Sequence, residues 1–421
     1  MEIILRHLPP NTRVGVMAES DFHVVEIATS RRSLTELVVV DTREGAPFDH
    51  AVRQFIRLFM RLAPSAVLAN TCIAARILAA ARHWLPTLPE RSFLYVRDFL
   101  WLDTERLLRS LAGATVLVPT VAVLEKPGYL DGIIAPVGPL RAAVVPDMVE
   151  LPPDAPSEPA PDAPLLHLAT VNDWKGHRHL INAMASLRDA GIDWHAHSYG
   201  YRPCADVLRT FQEQIADLNL SDRFVLHDYV ADPSPLYRDC SCVAVTSVSH
   251  SGGPETFGRT VIEAWAHGRA VVAFAAGGPA KLINHMVDGI LVPEGDEQAL
   301  AEALALVRRD ADLRRRLGRN GYAKVQAEFA AERVVGRLLE VLSTSPRVHS
   351  TSQCLRQGPV CAGAAPPDLD TRSRLLAWLG IGSTFVPGSS RRLLKPVWFA
   401  LCRQHERLRR RCAPKATTDR P

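Results

Sequence analysis

Nowhere in the 421 residues do apolar side chains continue for the roughly 18 positions a helix needs to cross a bilayer. The opening Met1-Glu-Ile-Ile-Leu-Arg6 is too short and wrongly charged for a secretory leader. Both absences predict a cytoplasmic protein. Cysteine is sparse: the eight residues are scattered, and Cys240 and Cys242 fall in a run that reads as a buried strand, so neither a disulfide framework nor a cysteine metal site is expected. The histidines form no ligand cluster. His177 and His179 fall at a helix start, and His195 and His197 on a strand. A hydrophobic content of 47% is enough for two cores.

The formal charge of +4 conceals a strong asymmetry. Residues 346–421 hold 14 Lys or Arg against 4 Asp or Glu, an excess of +10, and the rest of the chain is therefore −6. Within that tail Leu394, Val397, Trp398, Leu401, His405 and Leu408 recur at helical spacing among arginines, with Pro396 suited to a first turn. Such a basic amphipathic helix, spanning 391–411, can lie on an anionic membrane surface. It can equally pack its stripe onto the amino-terminal domain. No recognisable nucleic-acid-binding fold accompanies the charge, so no nucleic-acid partner is expected.

The region 165–345 alternates short apolar runs with helical spacing. Leu165 to Val171 reads as a strand, Asn172 to Gly176 as a turn and His179 to Arg188 as a helix, which places Lys175 at a strand-to-helix junction. Trp194 to Tyr199, Arg223 to His227, Cys240 to Ser247, Ala270 to Ala275 and Asp288 to Pro293 read as further strands, with helices between and after them. This alternation predicts a doubly wound parallel sheet.

Between two of these strands lies Glu255-Thr-Phe-Gly-Arg-Thr-Val-Ile-Glu263-Ala264. Phe257 and Gly258 open a helix that ends at Gly268, the residue type favoured just past a helix terminus. Unpaired N–H groups at such a start bind a phosphate oxygen, and a glycine lets that oxygen approach. Glu255 ahead of the helix and Glu263 two turns inside it can each accept hydrogen bonds from neighbouring sugar hydroxyls. The alternatives are plain: a surface helix with two solvated glutamates, and a solvated turn lysine at 175.

Taken together, Lys175-Gly176, Gly200, Glu255-x-Phe257-Gly258 with Glu263-Ala264, Gly277-Gly278-Pro279 and Asp288-Gly289-Ile-Leu-Val-Pro293 resemble the donor domain of the retaining glycosyltransferases of family four, which have the GT-B architecture. The resemblance covers about 165–345. It implies two doubly wound Rossmann-like domains facing a cleft: 1–150 on the acceptor side, a Pro-rich linker at 151–164, the nucleotide-sugar domain at 165–345, and a basic, partly helical extension at 346–421. It implies that Lys175 neutralises the departing diphosphate, that Glu255 contacts the transferred sugar and that Glu263 holds the ribose hydroxyls. Backbone at Gly253, Thr256, Phe257 and Gly258 then touches phosphate or sugar. The implied reaction needs no metal and no cofactor, and moves a hexose-like sugar to a glycan, lipid-linked or small-molecule acceptor, with the anomeric configuration retained.

The sequence also departs from the family pattern. Ala169 and Thr170 stand where an arginine is usual; Arg178 and Arg259 are the nearby candidates to replace it, although each reads more readily as a surface arginine. Lys281 occupies a position usually acidic. In the amino-terminal half Phe48–Leu62 and Cys72–Trp84 read as helices, and Val67–Leu68, Phe93–Val96, Ala114–Val118 and Ala142–Val145 as strands. Arg97-Asp98 falls where His-Asp commonly faces the sugar, and Arg97 suits an anion contact because arginine cannot act as a base. Residues 1–36 show no opening strand or helix, and Gly15 stands in for an absent Gly-Gly loop, so this domain reads as shortened. Pro146 to Pro164 holds seven prolines and reads as a stiff, exposed linker about which the domains close. A GT-B module that binds nucleotide or glycan without turnover, and a GT-B epimerase or phosphorylase, are the alternative functions.

Overall fold

The computed structural model describes residues 2–9, 12–18, 34–39, 48–97, 111–125, 141–249 and 254–344. Asp98, Gly253 and the tail helix expected at 391–411 lie outside these residues.

The amino-terminal half opens with helix α1 (Glu2–His7) and two parallel strands, β1 (Val14–Ala18) and β2 (Leu34–Val39). This corrects the expectation that residues 1–36 lack an opening strand and helix. Gly15 is likewise not a loop glycine: it sits inside β1, where a Cβ would strike Leu62 Cδ1 and sit 3.2 Å from Leu58 Cδ1. The missing side chain lets the next helix, α2 (Phe48–Leu62), settle onto the strand. That helix buries Ala51, Val52, Phe55, Leu58 and Phe59, the one-sided stripe its spacing predicts. Strand β3 (Val67–Ala69) leads to α3 (Cys72–Ala81), which Thr71 caps by accepting the Ala74 N–H at 3.1 Å. Strands β4 (Ser92–Tyr95) and β5 (Thr115–Val118), helix α4 (Val121–Glu125) and strand β6 (Arg141–Val144) follow. Strands β3 to β6 form one parallel sheet in chain order.

The second half runs β7 (Leu165–Leu168), α5 (His177–Asp189), β8 (Ala196–Tyr199), α6 (Ala205–Asp217), β9 (Phe224–His227), α7 (Ser234–Asp239), β10 (Cys242–Val245), α8 (Arg259–Ala266), β11 (Ala270–Phe274), α9 (Pro279–Leu282), β12 (Ile290–Val292), α10 (Glu297–Arg309), α11 (Ala311–Lys324) and α12 (Ala331–Thr344). Its six strands are all parallel, in the order β12-β11-β10-β7-β8-β9. The chain starts in the middle of the sheet at β7, works outward to β9, then returns to lay β10 against the other side of β7. The crevice between β7 and β10, where the winding direction reverses, is where open α/β sheets bind ligands.

Strands β10 and β11 are buried along their whole length, which is why they read as unbroken apolar runs rather than alternating ones. Cys242 and Ala244 face the core beneath α5 and α10, whereas Val243 and Val245 face the core beneath α8. Burial pushes the Cys240 thiol up to about 12 and the Cys242 thiol higher still, so both are inert apolar fillers. Helix α8 buries Val261, Ile262, Ala264, Trp265 and Ala266. The Trp265 indole N–H donates to the Asp288 carbonyl at 2.8 Å, and the Asp288 carboxylate accepts from the Asn284 N–H at 2.7 Å and from Lys324 at 3.1 Å. Asp288-Gly289 is thus an anchor that seats the β11–β12 connection on α8.

Two boundaries differ from the sequence reading. Helix α12, expected within the donor domain, packs Val334, Val335 and Leu338 against Phe93, Tyr95 and Leu117 of the amino-terminal sheet, beside Ile4 of α1. The interdomain linker is not uniformly exposed. Asp147, Met148 and Val149 are buried, and Val149 bridges to Ala330, donating to Phe329 at 3.1 Å and accepting from Ala331 at 3.0 Å. Only the proline-rich stretch beyond Pro152 is largely exposed.

Candidate active site

Lys175 and Glu255, 80 residues apart, meet at the switch point. The lysine is carried by a turn of 3-10 helix, Asp173–Lys175, just beyond the carboxyl end of β7; Asn172 caps this turn by accepting the Lys175 N–H at 3.1 Å. Gly176 ends the turn at φ +75, in the left-handed region, and a Cβ there would land on the Thr246 carbonyl. The lysine loop therefore lies directly on the residue that follows β10. Thr246 returns the contact, its hydroxyl donating to the Lys175 carbonyl at 3.0 Å.

Glu255 arrives from the other side. Lys175 Nζ donates to its Oε1, and the Ser247 hydroxyl donates to the same oxygen at 3.1 Å. The glycine loop after β11 cradles the backbone of this segment. The Gly278 N–H donates to the Glu255 carbonyl at 2.7 Å, and a Cβ on Gly278 would strike the Phe257 backbone. Gly-Gly-Pro thus serves close backbone approach, with Pro279 seated 3.0 Å from the Cβ position of Gly258. Gly258, at φ +96, is the N-cap of α8. The lysine is 17% exposed, the glutamate 23%, and the Lys175 ammonium stands 3.9 Å above the Trp174 ring. An ammonium has three N–H donors, so pairing with Glu255 leaves others for an incoming anion.

The structure brings only part of the expected set to this point. The Phe257 ring is buried against Phe329, so only its backbone can face a ligand. Thr256 is engaged on both sides by the amino-terminal half: its hydroxyl donates to the Arg97 carbonyl at 2.6 Å, and its carbonyl accepts from the Thr120 hydroxyl at 2.7 Å. Arg97, expected to contact an anion, instead has its charge met by Asp147. Glu263 accepts from the Tyr237 hydroxyl at 2.8 Å and from Arg259 at 2.9 Å, so Arg259 is paired one helical turn from its partner rather than standing as a free cation. Arg178 is exposed on the first turn of α5. Lys281 pairs with Glu125 of α4 at 2.7 Å, tying the two halves together.

Beneath the lysine loop lies a polar chain absent from the sequence reading. Thr246 Oγ1 spends its proton on Lys175, so at 3.2 Å it accepts from His167 Nε2; His167 Nδ1 then accepts the Ser198 hydroxyl at 3.0 Å. His177 packs edge-on to His167 at 4.6 Å and stacks on Phe211 at 5.1 Å. It is fully buried, and neither ring nitrogen has a well-formed hydrogen bond. Burial, reinforced by the Lys175 charge, holds its pKa down at about 4. Burial pushes His167 in the same direction. The available signal was a polar residue within one apolar strand, Leu-Leu-His-Leu, and another directly after a second, Val-Ala-Val-Thr.

Fold and site together define a GT-B-type protein. Residues 154–324 match the family model described as "Glycosyl transferases group 1". The crystal structure of Anabaena HepE in complex with UDP superposes with a TM-score of 0.65 at 21% identity, covering 81% of this chain and 95% of that one. Sucrose-phosphate synthase from Thermosynechococcus elongatus superposes with a TM-score of 0.60 at 18% identity, covering 80% and 96%. Among curated relatives, the lipopolysaccharide core biosynthesis glycosyltransferase LpsE of Rhizobium meliloti is 29% identical over 130 residues, 31% of this chain and 37% of that protein. The D-inositol 3-phosphate glycosyltransferase of Salinispora tropica is 36% identical over 141 residues, 33% of this chain and 28% of that protein. The matched stretch thus spans well under half of either relative. Among the described residues, no helix is long and apolar enough to cross a membrane.

Proposed function

We propose that this protein transfers a sugar from a nucleotide-sugar donor to an acceptor, with retained configuration and without a metal, in the assembly of a cell-surface glycan. The observation that carries this is the convergence of Lys175 and Glu255 at the β7–β10 switch point, beside the amino-terminal end of α8. As the bond between the sugar and the diphosphate breaks, negative charge grows on the departing oxygen. A preorganised ammonium group and helix N–H donors stabilise that charge. Glu255 then turns to the sugar, and Glu263, oriented by Tyr237, to the ribose hydroxyls. HepE has been crystallised with UDP, with UDP and glucose, and with UDP-glucose, which favours a uridine-linked donor as the first to try. We place the protein in the cytoplasm, associated with the inner membrane surface through its basic tail.

The test is transfer or hydrolysis of a panel of labelled nucleotide-sugars by the full chain and by Lys175→Ala. Loss of one such donor typically lowers turnover about a hundredfold to a thousandfold. An unchanged turnover number in Lys175→Ala removes the lysine from the mechanism. A second reading, binding of the nucleotide without turnover, is favoured by the missing second cation: Ala169 and Thr170 replace the usual arginine, and Arg259 is engaged by Glu263. Tight binding of an intact donor that is never cleaved establishes that reading instead.

A further inference from the structure

At the amino ends of β10 and β11, at the opposite end of the strands from Lys175, lies a cavity of about 220 Å³. Four arginines line it, Arg269, Arg314, Arg315 and Arg319, together with Tyr322; the linker segment Pro156–Pro159 closes one side. Strand β10 separates this cavity from the candidate active site, and its four residues span about 13 Å.

The lining carries an excess of positive charge, four arginines against one acid. Arg269 is 2% exposed, yet no carboxylate lies within ion-pair distance of it among the described residues. Its guanidinium donates to three backbone carbonyls: Tyr237 at 2.7 Å, Ser157 at 2.8 Å and Arg238 at 2.8 Å. Carbonyl dipoles satisfy donors but leave the net charge in place, and buried charges are ordinarily paired. Arg314 holds the Val307 carbonyl at 2.9 Å, again a neutral acceptor. Of the other two arginines, Arg315 is met by Asp312, and Arg319 is exposed with no partner among the described residues. The single acid in the lining, Glu158, is exposed, and with Asp239 it offsets part of the Arg269 charge from beyond ion-pair distance.

We propose that this cavity is a second ligand site, distinct from the nucleotide-sugar crevice, for a small phosphorylated compound of the sugar-phosphate class. Guanidinium groups bind phosphate through paired, directional N–H donors. The volume admits a phosphate with a small substituent but is below the range typical of sites for larger ligands. Arg319 and Arg315 grip the phosphate from α11, and the field of the buried Arg269 compensates its charge from below. Because Arg269 also holds the Ser157 carbonyl, an occupied cavity clamps the interdomain linker onto the donor domain.

The test is thermal melting of the full chain with inorganic phosphate and with glycerol 3-phosphate, each against sodium chloride at matched ionic strength. A saturable rise with both phosphates and none with chloride is expected. Arg319→Ala and Arg315→Ala, both at exposed positions, should each weaken the apparent affinity about tenfold, while Lys175→Ala leaves it unchanged. The proposal is overturned if chloride reproduces the rise, if both arginine variants respond like the parent, or if Lys175→Ala abolishes the response, which would place the phosphate at the switch point.

Discussion

The histidines at 167 and 177 link the candidate site to stability. Both are buried as neutral rings under the loop that presents Lys175, and for His177 burial and the Lys175 charge outweigh the Asn172 backbone contact that favours the charged ring. With a folded pKa of about 4 against an ordinary 6.5, the unfolded chain binds the extra proton first as the solution is acidified. The contribution is therefore fully present above pH 6.5 and is lost as the pH falls toward 4. For His177 alone it amounts to ~3 kcal/mol. Urea unfolding at about pH 5 and about pH 7 should show the parent clearly weaker in acid. His177→Phe, which keeps a ring stacked on Phe211 but cannot take up a proton, should flatten that slope. An unchanged slope in the variant would show that the acid sensitivity arises elsewhere.

At the scale of elements, the elements that position the site are short turns held by backbone contact. Gly176 is the clearest case, because it combines a left-handed backbone with a carbonyl where its Cβ would be. Gly176→Ala should cost roughly 1–3 kcal/mol in backbone strain, with further loss as Thr246 is displaced and Lys175 swings away from Glu255. Denaturant unfolding together with nucleotide binding measures both parts; a variant with parental stability and affinity would mean that the loop tolerates the added methyl group. Such features differ in how far they can be read from sequence. The helix Phe48–Leu62 and the strand Ala270–Phe274 were legible because one-sided spacing and an unbroken apolar run each follow directly from how the element is buried. Strand β1 was not, since Val-Gly-Val-Met-Ala carries a glycine that weakens any strand pattern and is explained only by Leu58 and Leu62 pressing on it. The lysine and Glu255 were legible as motifs. Their contact was not, nor was the Ser198–His167–Thr246 chain, because hydrogen bonds between distant strands leave no periodicity.

For the whole molecule, the halves are tied at the loop that carries Glu255. Thr120 and Arg97 of the amino-terminal half hold Thr256, and Glu125 holds Lys281. Thr120→Val preserves shape but leaves the buried Thr256 carbonyl without its donor, a loss of about 1–3 kcal/mol. Donor affinity should fall about tenfold, and the scattering profile should shift toward a more open particle. Identical profiles and affinities would show that the latch does not control closure. The amino-acid order by itself determined the alternation of strands and helices in residues 165–345, the lysine at a strand end and the two glutamates about a helix start, because these depend on local spacing and burial. Only the tertiary structure decided that α12 returns to the amino-terminal sheet, that Arg97 and Arg259 already have carboxylate partners, and that a buried arginine faces a basic cavity. Charge compensation and long-range packing depend on which distant residues share space, and spacing along the chain carries no record of that.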